Sequence, residues 1–535
     1  MEAKDPGFRE SPESGKVGAN ETLLFWACFI AIVATAFGFV VRTQVIADWG
    51  RQFDLSKTQQ GQIFGVGLWP FAVSIVLFSL VIDKVGYGKS MIFAFLCHVA
   101  SAVMTIRAKG YDDLYWATFI VALGNGTVEA VTNPVVATLF PREKTKWLNR
   151  LHAGWPGGLV LGGLLALLMG NADWKYKVAL LFLPVIAYGV LMIGRRFPVN
   201  ERVASGGSYR EMLQEVGILG AAIVVSLIVR EVLGNTFAGT LTAAGMNPLY
   251  VQIAVGVVLV GAFGAYVRSL GNPLFIVMLL IMIPLATTEL GTDSWIGDLM
   301  GPEMERLGLK GAWVLIYTSA IMLVLRFFAG PIVHKLSPLG LLAASALIAA
   351  CGLVFLSKAT GGMILLAATL YGFGKTFFWP TMLGVVAEQF PKGGALTLNT
   401  TGGVGMLAVG VVGAALLGNI QDKEAARDLK AQNPAIYERV VGGTKNSVFG
   451  TYQPLDQQKV DKLPQNELGV IESLQGLAKK NALMTVALFP CVMLACYLGL
   501  IVYFQTKGGY KPKILIDDKE EALLMTGGAM GPADM

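Results

Sequence analysis

Charge is scarce in this sequence: only 15% of its 535 residues are Asp, Glu, Lys or Arg, whereas 54% are hydrophobic. The mean hydropathy of +0.60 lies well above the range of soluble proteins. The net charge of +6 is too small to indicate a nucleic-acid surface. These values predict a polytopic integral membrane protein whose main surroundings are the lipid bilayer.

Cysteine and histidine are also rare, with five and three residues. The cysteines stand in apolar runs, without the spacing of a metal site or of a disulfide framework. The sequence contains no Gly-rich phosphate loop of the Walker type and no pattern typical of a catalytic nucleophile. We therefore expect no cofactor, no metal, no enzymatic activity and no pumping driven by ATP.

Long apolar runs dominate the chain instead. A helix needs about 20 apolar residues to cross the hydrocarbon core, and runs of that length predict fourteen transmembrane helices. They lie near 23–46, 60–82, 90–107, 114–139, 150–170, 178–197, 214–234, 248–268, 273–296, 312–333, 338–357, 361–386, 396–420 and 482–505.

The loops predict the orientation, because Lys and Arg stay on the cytoplasmic side of short loops. Their distribution places both termini inside a cytoplasmic (inner) membrane. The predicted segments are a disordered tail (1–22), an N-terminal six-helix bundle (23–197), a linker with two inserted helices (198–270), a C-terminal six-helix bundle (271–505) and a second cytoplasmic tail (506–535). A polar loop at 421–480 falls outside the membrane; its two ends are predicted to be helical.

The fourth predicted span carries a carboxylate, Glu129, within an apolar run of membrane length. An ionisable residue there is costly and usually faces a water-filled path. A similar stretch occurs in the second half of the chain, and aligning Pro134 with Pro380 places Lys375 opposite Glu129. Related half-repeats with ionisable residues at matching positions are typical of a secondary transporter.

At these residues the chain resembles the major facilitator superfamily, and more narrowly its fucose–galactose–glucose:proton symporters. The resemblance lies in the order of the residues of the fourth span and its following loop, Gly124, Gly126, Glu129, Asn133, Pro134, Leu139, Pro141, Leu148 and Asn149. It implies an all-α major facilitator fold of two six-helix bundles, here with two extra helices. It also implies transport of a monosaccharide together with a proton by alternating access.

Glu129 is the candidate proton-coupling residue. Burial favours its neutral form, whereas a nearby cation favours its charged form, and Arg42 and Lys375 are the candidate counter-ions. In an alternative interpretation, Glu129 stays ionised in a structural ion pair. Arg42 and Lys375 could also bind an anionic substrate or form structural pairs.

Other polar and aromatic residues near these spans are candidates for substrate binding, because a few polar groups on apolar walls form the usual small-molecule pocket. They are Asn133, His152, Trp155, Glu289, Trp379 and Asn399. Charged residues near the cytoplasmic ends of the spans are candidates for an inner gate: Asp83, Lys84, Arg326 and Lys335.

Two other functions remain open from the sequence. The protein could transport an organic anion or sugar acid bound by Arg42 and Lys375. It could also be a non-transporting membrane subunit of a larger complex, with the outer loop and the extra helices as its docking surface.

Overall fold

Helices form almost all of the architecture in the computed structural model, which describes residues 18–55, 57–447, 450–460 and 462–515. Most of the two predicted tails lies outside these residues. The first helix begins at Ala19, within the predicted tail 1–22.

The N-terminal helices are the nine helices that the structure describes before residue 193. They are α1 (Ala19–Gln52), α2 (Lys57–Gly65), α3 (Trp69–Val85), α4 (Tyr87–Arg107), α5 (Tyr111–Leu139), α6 (Lys144–His152), α7 (Gly154–Leu168), α8 (Trp174–Ala179) and α9 (Phe182–Met192). Four further helices follow as the central insertion: α10 (Glu201–Ala204), α11 (Tyr209–Val229), α12 (Ala238–Ala243) and α13 (Pro248–Val267).

The C-terminal helices complete the chain. They are α14 (Pro273–Ala286), α15 (Thr292–Glu305), α16 (Ala312–Phe327), α17 (Ala329–Leu336), α18 (Pro338–Lys358), α19 (Met363–Lys375), α20 (Phe378–Gln389), α21 (Gly394–Ala408), α22 (Ala415–Gln432), α23 (Pro434–Val440), α24 (Gln457–Val460), α25 (Gln465–Val486) and α26 (Leu488–Thr506). Short π-helical turns cover Arg230–Thr236, Thr287–Gly291 and Val409–Ala414, and a 3-10 turn covers Pro391–Gly393.

Among the described residues, eleven helical stretches are long and apolar enough to cross a membrane, or twelve if the bent pair α16 and α17 counts as one span. The predicted count of fourteen is therefore not confirmed. The predicted spans 114–139 and 361–386 fall on α5 and on α19 with α20. The middle of α5 is polar and carries Glu129, and α19 and α20 are only 13 and 12 residues long.

Small residues bring the N-terminal helices close together. A side chain on Gly158 of α7 would place its Cβ 2.4 Å from the carbonyl oxygen of Val33 in α1. Lipid offers little hydrophobic drive for two helices to associate, so close backbone packing supplies much of the attraction. Gly158 therefore allows α1 and α7 to pack closely.

The two inserted membrane helices lie at the edge of the protein. α11 packs against α14 and α21, whereas α13 packs mainly against α11. Only 11% of the most apolar stretch of 18 residues in α13 is buried. A helix that is apolar on all sides and mostly unburied is suited to a lipid environment. The insertion thus adds to the periphery and leaves the interior to the other helices.

The predicted outer loop 421–480 forms a small folded unit, which we call the cap. Its predicted terminal helices are confirmed, since α22 and α25 cover them. Between them lies a two-stranded antiparallel hairpin of β1 (Lys445–Ser447) and β2 (Gly450–Tyr452), a small departure from the all-α prediction. The cap has its own apolar cluster, which includes Leu429, Val440 and Leu474.

Candidate functional site

Glu129 lies in the buried middle of α5, with 5% of its surface exposed. Its Oε2 accepts a hydrogen bond of 2.7 Å from Nδ2 of Asn133, one helical turn later. Oδ1 of Asn133 lies 2.8 Å from Nε2 of His152, which is itself 3.9 Å from Glu129 Oε2. No lysine or arginine in the described part of the chain forms an ion pair with Glu129.

A second carboxylate, Glu289, has a full cationic partner. Nη2 of Arg326 donates to Glu289 Oε1 at 2.7 Å, and both side chains are 2% exposed or less. The backbone N–H of Trp379 donates to the other carboxylate oxygen at 3.1 Å. Glu289 lies in the π-helical turn after α14, which widens the helix just beyond Pro284.

Arg326 also joins the two halves of the protein. Its Nε donates to the carbonyl oxygen of Thr376 at 2.7 Å, and its Nη1 donates to the carbonyl oxygen of His152 at 2.8 Å. Thr376 is free to accept because the helix breaks between α19 and α20. A continuous chain of polar contacts therefore runs from Glu129 through Asn133 and His152 to Arg326 and Glu289.

Lysine 375 is fully buried, but it does not meet Glu129. Its Nζ pairs with Asp293 and donates to Thr318 Oγ1 at 3.2 Å, and it lies 5.1 Å from the ring centre of Tyr371. The helical spacing of Glu289 and Asp293 thus directs two acids to two different cations. The alignment of the half-repeats could not show this, because it compares positions and not side-chain directions.

Arg42 also lies apart from Glu129. Its Nη2 donates to Ser101 Oγ at 3.3 Å, and its buried Nε lacks a hydrogen-bond partner. A neighbouring polar chain joins Tyr188, His98 and Asn125 through contacts of 3.0 and 2.9 Å. The structure therefore places neither predicted counter-ion against Glu129.

Three cavities with overlapping linings lie between the predicted outer end and this site. A vestibule of about 470 Å³ shares Phe39, Asp293 and Leu315 with an aromatic chamber of about 40 Å³. That chamber is lined by Phe39, Phe64, Phe71 and Trp155 among others, and Asn125 is one of its few polar residues. A third cavity shares Phe71, Trp155, Leu290 and Met406 with this chamber as lining residues.

This third cavity is the innermost one and measures about 20 Å³, which is room for about one water molecule. Its lining includes Glu129, His152, Glu289, Arg326 and Trp379. Glu129 and the ion pair of Arg326 with Glu289 therefore face the same small cavity. In the order of shared lining residues, the aromatic chamber lies between the vestibule and the cavity lined by Glu129, Glu289 and Arg326.

Contacts between the two halves close the opposite end. Thr145 donates to Glu388 Oε1 through its hydroxyl at 2.6 Å and through its backbone N–H at 3.1 Å. Lys144 pairs with Glu201 at 2.6 Å and donates to the carbonyl oxygen of Ala387 at 3.2 Å. The structure is thus open towards the predicted outside and closed at the predicted cytoplasmic end.

The predicted inner-gate residues have mixed positions. Asp83 pairs with Arg202 at the closed end, while Lys84 and Lys335 are exposed there. Arg326 lines the innermost cavity, where it pairs with Glu289. Sequence reasoning missed Thr145 and Glu388, although a glutamate at the end of the apolar run 361–386 was a usable signal.

The predicted substrate-binding residues lie close to one another. Trp155, His152, Glu289 and Trp379 line the innermost cavity. Asn133 contacts Glu129 and His152. Asn399 lies where the two halves meet, since its Nδ2 donates to the carbonyl oxygen of Ala130 at 3.0 Å.

A comparison of the sequence with protein families identifies the family of this chain. The sequence profile of the Major Facilitator Superfamily matches residues 24–415, which is most of the chain. The chain belongs to this superfamily. It is accordingly a multi-pass membrane protein of a family of transporters, with an all-α major facilitator fold.

Proteins similar to this superfamily member include one curated relative and three solved structures. The TsgA homolog of Buchnera aphidicola subsp. Schizaphis graminum is 23% identical over 186 residues, 34% of this chain and 48% of that protein, so the match spans about half of the relative. The human organic anion transporter TETRAN has a TM-score of 0.58 at 10% identity, covering 89% of this chain and 99% of that one.

The two other structures are sugar symporters. The proton:xylose symporter XylE has a TM-score of 0.57 at 13% identity, covering 95% of this chain and 100% of that one. The E. coli fucose:proton symporter FucP has a TM-score of 0.51 at 14% identity, covering 90% and 99%. At these identities, the likeness establishes the fold.

Proposed function

We propose that this protein is a secondary active transporter that couples uptake of a monosaccharide to a proton by alternating access. The observation that carries the proposal is the environment of Glu129. It is a buried carboxylate beside a cavity, and its partners are an amide and a histidine. A carboxylate held this way exchanges a proton without first breaking a strong ion pair.

The proposed proton site lies beside the proposed substrate path. The vestibule and the aromatic chamber lead to the cavity at Glu129, and Trp155 lines both the chamber and that cavity. An aromatic face suits the apolar side of a sugar ring, while Asn125 and Asp293 supply hydrogen-bonding groups. FucP and XylE are sugar:proton symporters, which supports this substrate class as the first to test.

In this proposal neither Arg42 nor Lys375 pairs directly with Glu129, although the sequence predicted such pairing. Lys375 with Asp293, and Arg326 with Glu289, form paired charges on the C-terminal side. Glu129 is linked to the second pair through Asn133 and His152. We propose that loss or gain of its proton alters these hydrogen bonds and so favours one arrangement of the two helical bundles over the other.

The proposed orientation follows the charge distribution of the loops. Both termini would lie in the cytoplasm, and the vestibule would face the outside of a cytoplasmic membrane. The N-terminal (23–197) and C-terminal (271–505) bundles would rock about the central site. The series of neighbouring cavities that ends at buried charges supports transport over the alternative of a non-transporting subunit.

The test is uptake of labelled neutral hexoses into proteoliposomes, with and without an inward proton gradient. We expect gradient-driven accumulation in the natural protein. Glu129→Gln should abolish this accumulation and retain exchange of substrate, because the amide cannot release a proton. Glu472→Gln is the matched control on the exposed surface of the cap. Undiminished accumulation by Glu129→Gln would contradict the proton-coupling role.

A second candidate is transport of an organic anion or sugar acid, and one observation favours it. Arg326 lines the innermost cavity, and three of its five N–H groups donate to the partners described. Two N–H groups remain to bind an anion. The same uptake panel should therefore include sugar acids. Accumulation of acids alone would favour this candidate, with Arg326 as the cation to test. Lys375 lines none of the three cavities described.

A further inference from the structure

The chain beyond α26 turns back across the closed end of the protein. Residues 510–515, which we call the strap, run along the end of α20. The backbone N–H of Lys513 donates to the carbonyl oxygen of Glu388 at 2.8 Å, and the Gln389 side chain donates to the carbonyl oxygen of Lys511 at 2.9 Å. The Lys513 ammonium donates to the carbonyl oxygen of Gln389 at 3.1 Å.

The first residue of the strap shares a carboxylate with the closed gate. Tyr510 donates its hydroxyl to Glu388 Oε2 at 2.7 Å. The other oxygen of Glu388 accepts both hydrogen bonds from Thr145 of α6. One side chain of the C-terminal helices therefore holds the strap and the N-terminal helices at the same time.

The last described residue of the strap contacts the second closing carboxylate. The backbone N–H of Leu515 donates to Glu201 Oε1 at 2.9 Å. The other oxygen of Glu201 accepts the hydrogen bond from Lys144 of α6. The strap thus reaches from the end of α20 to a residue paired with the N-terminal helices.

We propose that the strap is a latch that holds the predicted cytoplasmic end closed. Opening of that end separates Thr145 from Glu388 and Lys144 from Ala387. The strap contacts both sides of this separation, so it must release Glu201, or Glu388 and Gln389, before the end opens. The strap therefore favours the outward-open arrangement, whatever the substrate is.

The test measures the opening of this end directly. Nitroxide labels at Ile193 and Leu336, which are 71% and 46% exposed near the ends of α9 and α17, report the distance between the two halves by double electron–electron resonance. The labels are placed on the full chain after replacement of its five native cysteines.

Tyr510→Phe removes only the hydroxyl that binds Glu388. We expect the ratio of long to short label distances to rise about two- to twelvefold, the effect of losing one hydrogen bond. Tyr503→Phe, 45% exposed on α26, is the matched control and should leave the ratio unchanged.

Leu515→Pro provides a second variant, because it removes the N–H that binds Glu201 without changing the central site. It should also raise the long-distance fraction. Unchanged distance distributions in both folded variants would overturn the latch, whereas a rise in both would support it. This readout is independent of substrate, so failure of the proposed sugar symport would leave it standing.

Discussion

The buried pair of Arg326 and Glu289 allows a quantitative test of the central site. Breaking a buried ion pair by removing one partner costs about 3–5 kcal/mol, because the remaining charge stays desolvated. Arg326→Met leaves the Glu289 carboxylate without its cation, and Glu289→Gln leaves the Arg326 guanidinium without its anion. We expect each single variant to be destabilised by this amount, with a clear fall in melting temperature in detergent.

The double variant separates the charge effect from simple loss of contacts. Arg326→Met with Glu289→Gln leaves neither charge unpaired, although the carbonyl oxygens of His152 and Thr376 still lose a donor. We expect the double variant to be more stable than the sum of the two single effects by several kcal/mol. A double-mutant cycle gives this difference as the interaction energy.

An exposed ion pair on the same protein is the control. Arg306 is 72% exposed where it contacts Glu303, so Arg306→Met should cost only about 0–1 kcal/mol. Strictly additive effects of the Arg326 and Glu289 substitutions would refute the reasoning. They would show that the two side chains do not act as a desolvated pair.

Two further predictions concern the two ends of the protein. A methyl group on Gly384 would lie 2.3 Å from Thr145 Oγ1, so Gly384→Ala should prevent closure of the predicted cytoplasmic end and lower uptake severalfold. Gly499→Ala is the control and should leave uptake unchanged, because its Cβ meets nothing within 4 Å. Equal uptake by the two variants would contradict this prediction. At the outer end, the Lys480 ammonium donates to Glu303 at 2.8 Å and lowers the pKa of that carboxyl below 4.5. The contact stabilises the folded protein at pH values above the pKa that Glu303 has in the unfolded chain. This stabilisation is lost as the pH falls through the pKa of Glu303 in the folded protein. Lys480→Gln should therefore reduce the melting temperature at pH 7 more than at pH 3.

The fold could be predicted from the sequence because membrane helices are defined by length and apolarity. Glu129 was found by the same logic, since a carboxylate in an apolar run is conspicuous. Its partners were not found, because a sequence gives no direction for a buried side chain. Lys375 matches Glu129 in the alignment of the half-repeats, yet its helix turns it towards Asp293.

The central role of Arg326 was missed for a related reason. Its position near the end of a predicted span indicated a gate, and the bend of 69° between α16 and α17 directly after it is not visible in the sequence. The break between α19 and α20 then supplies the carbonyl oxygen of Thr376 as a partner. Irregularities within helices therefore decide the site, and hydropathy does not report them.

The cap has a practical consequence for visualising the transport cycle. It is attached through α22 and α25, which continue from the C-terminal helices, and Lys480 anchors it again to Glu303 on α15. A compact feature outside the lipid is an accessible epitope on a protein otherwise hidden by detergent. An antibody fragment raised against the cap would add mass for particle alignment in electron microscopy. Because the cap belongs to one half only, such a binder would leave the other half free to change its tilt.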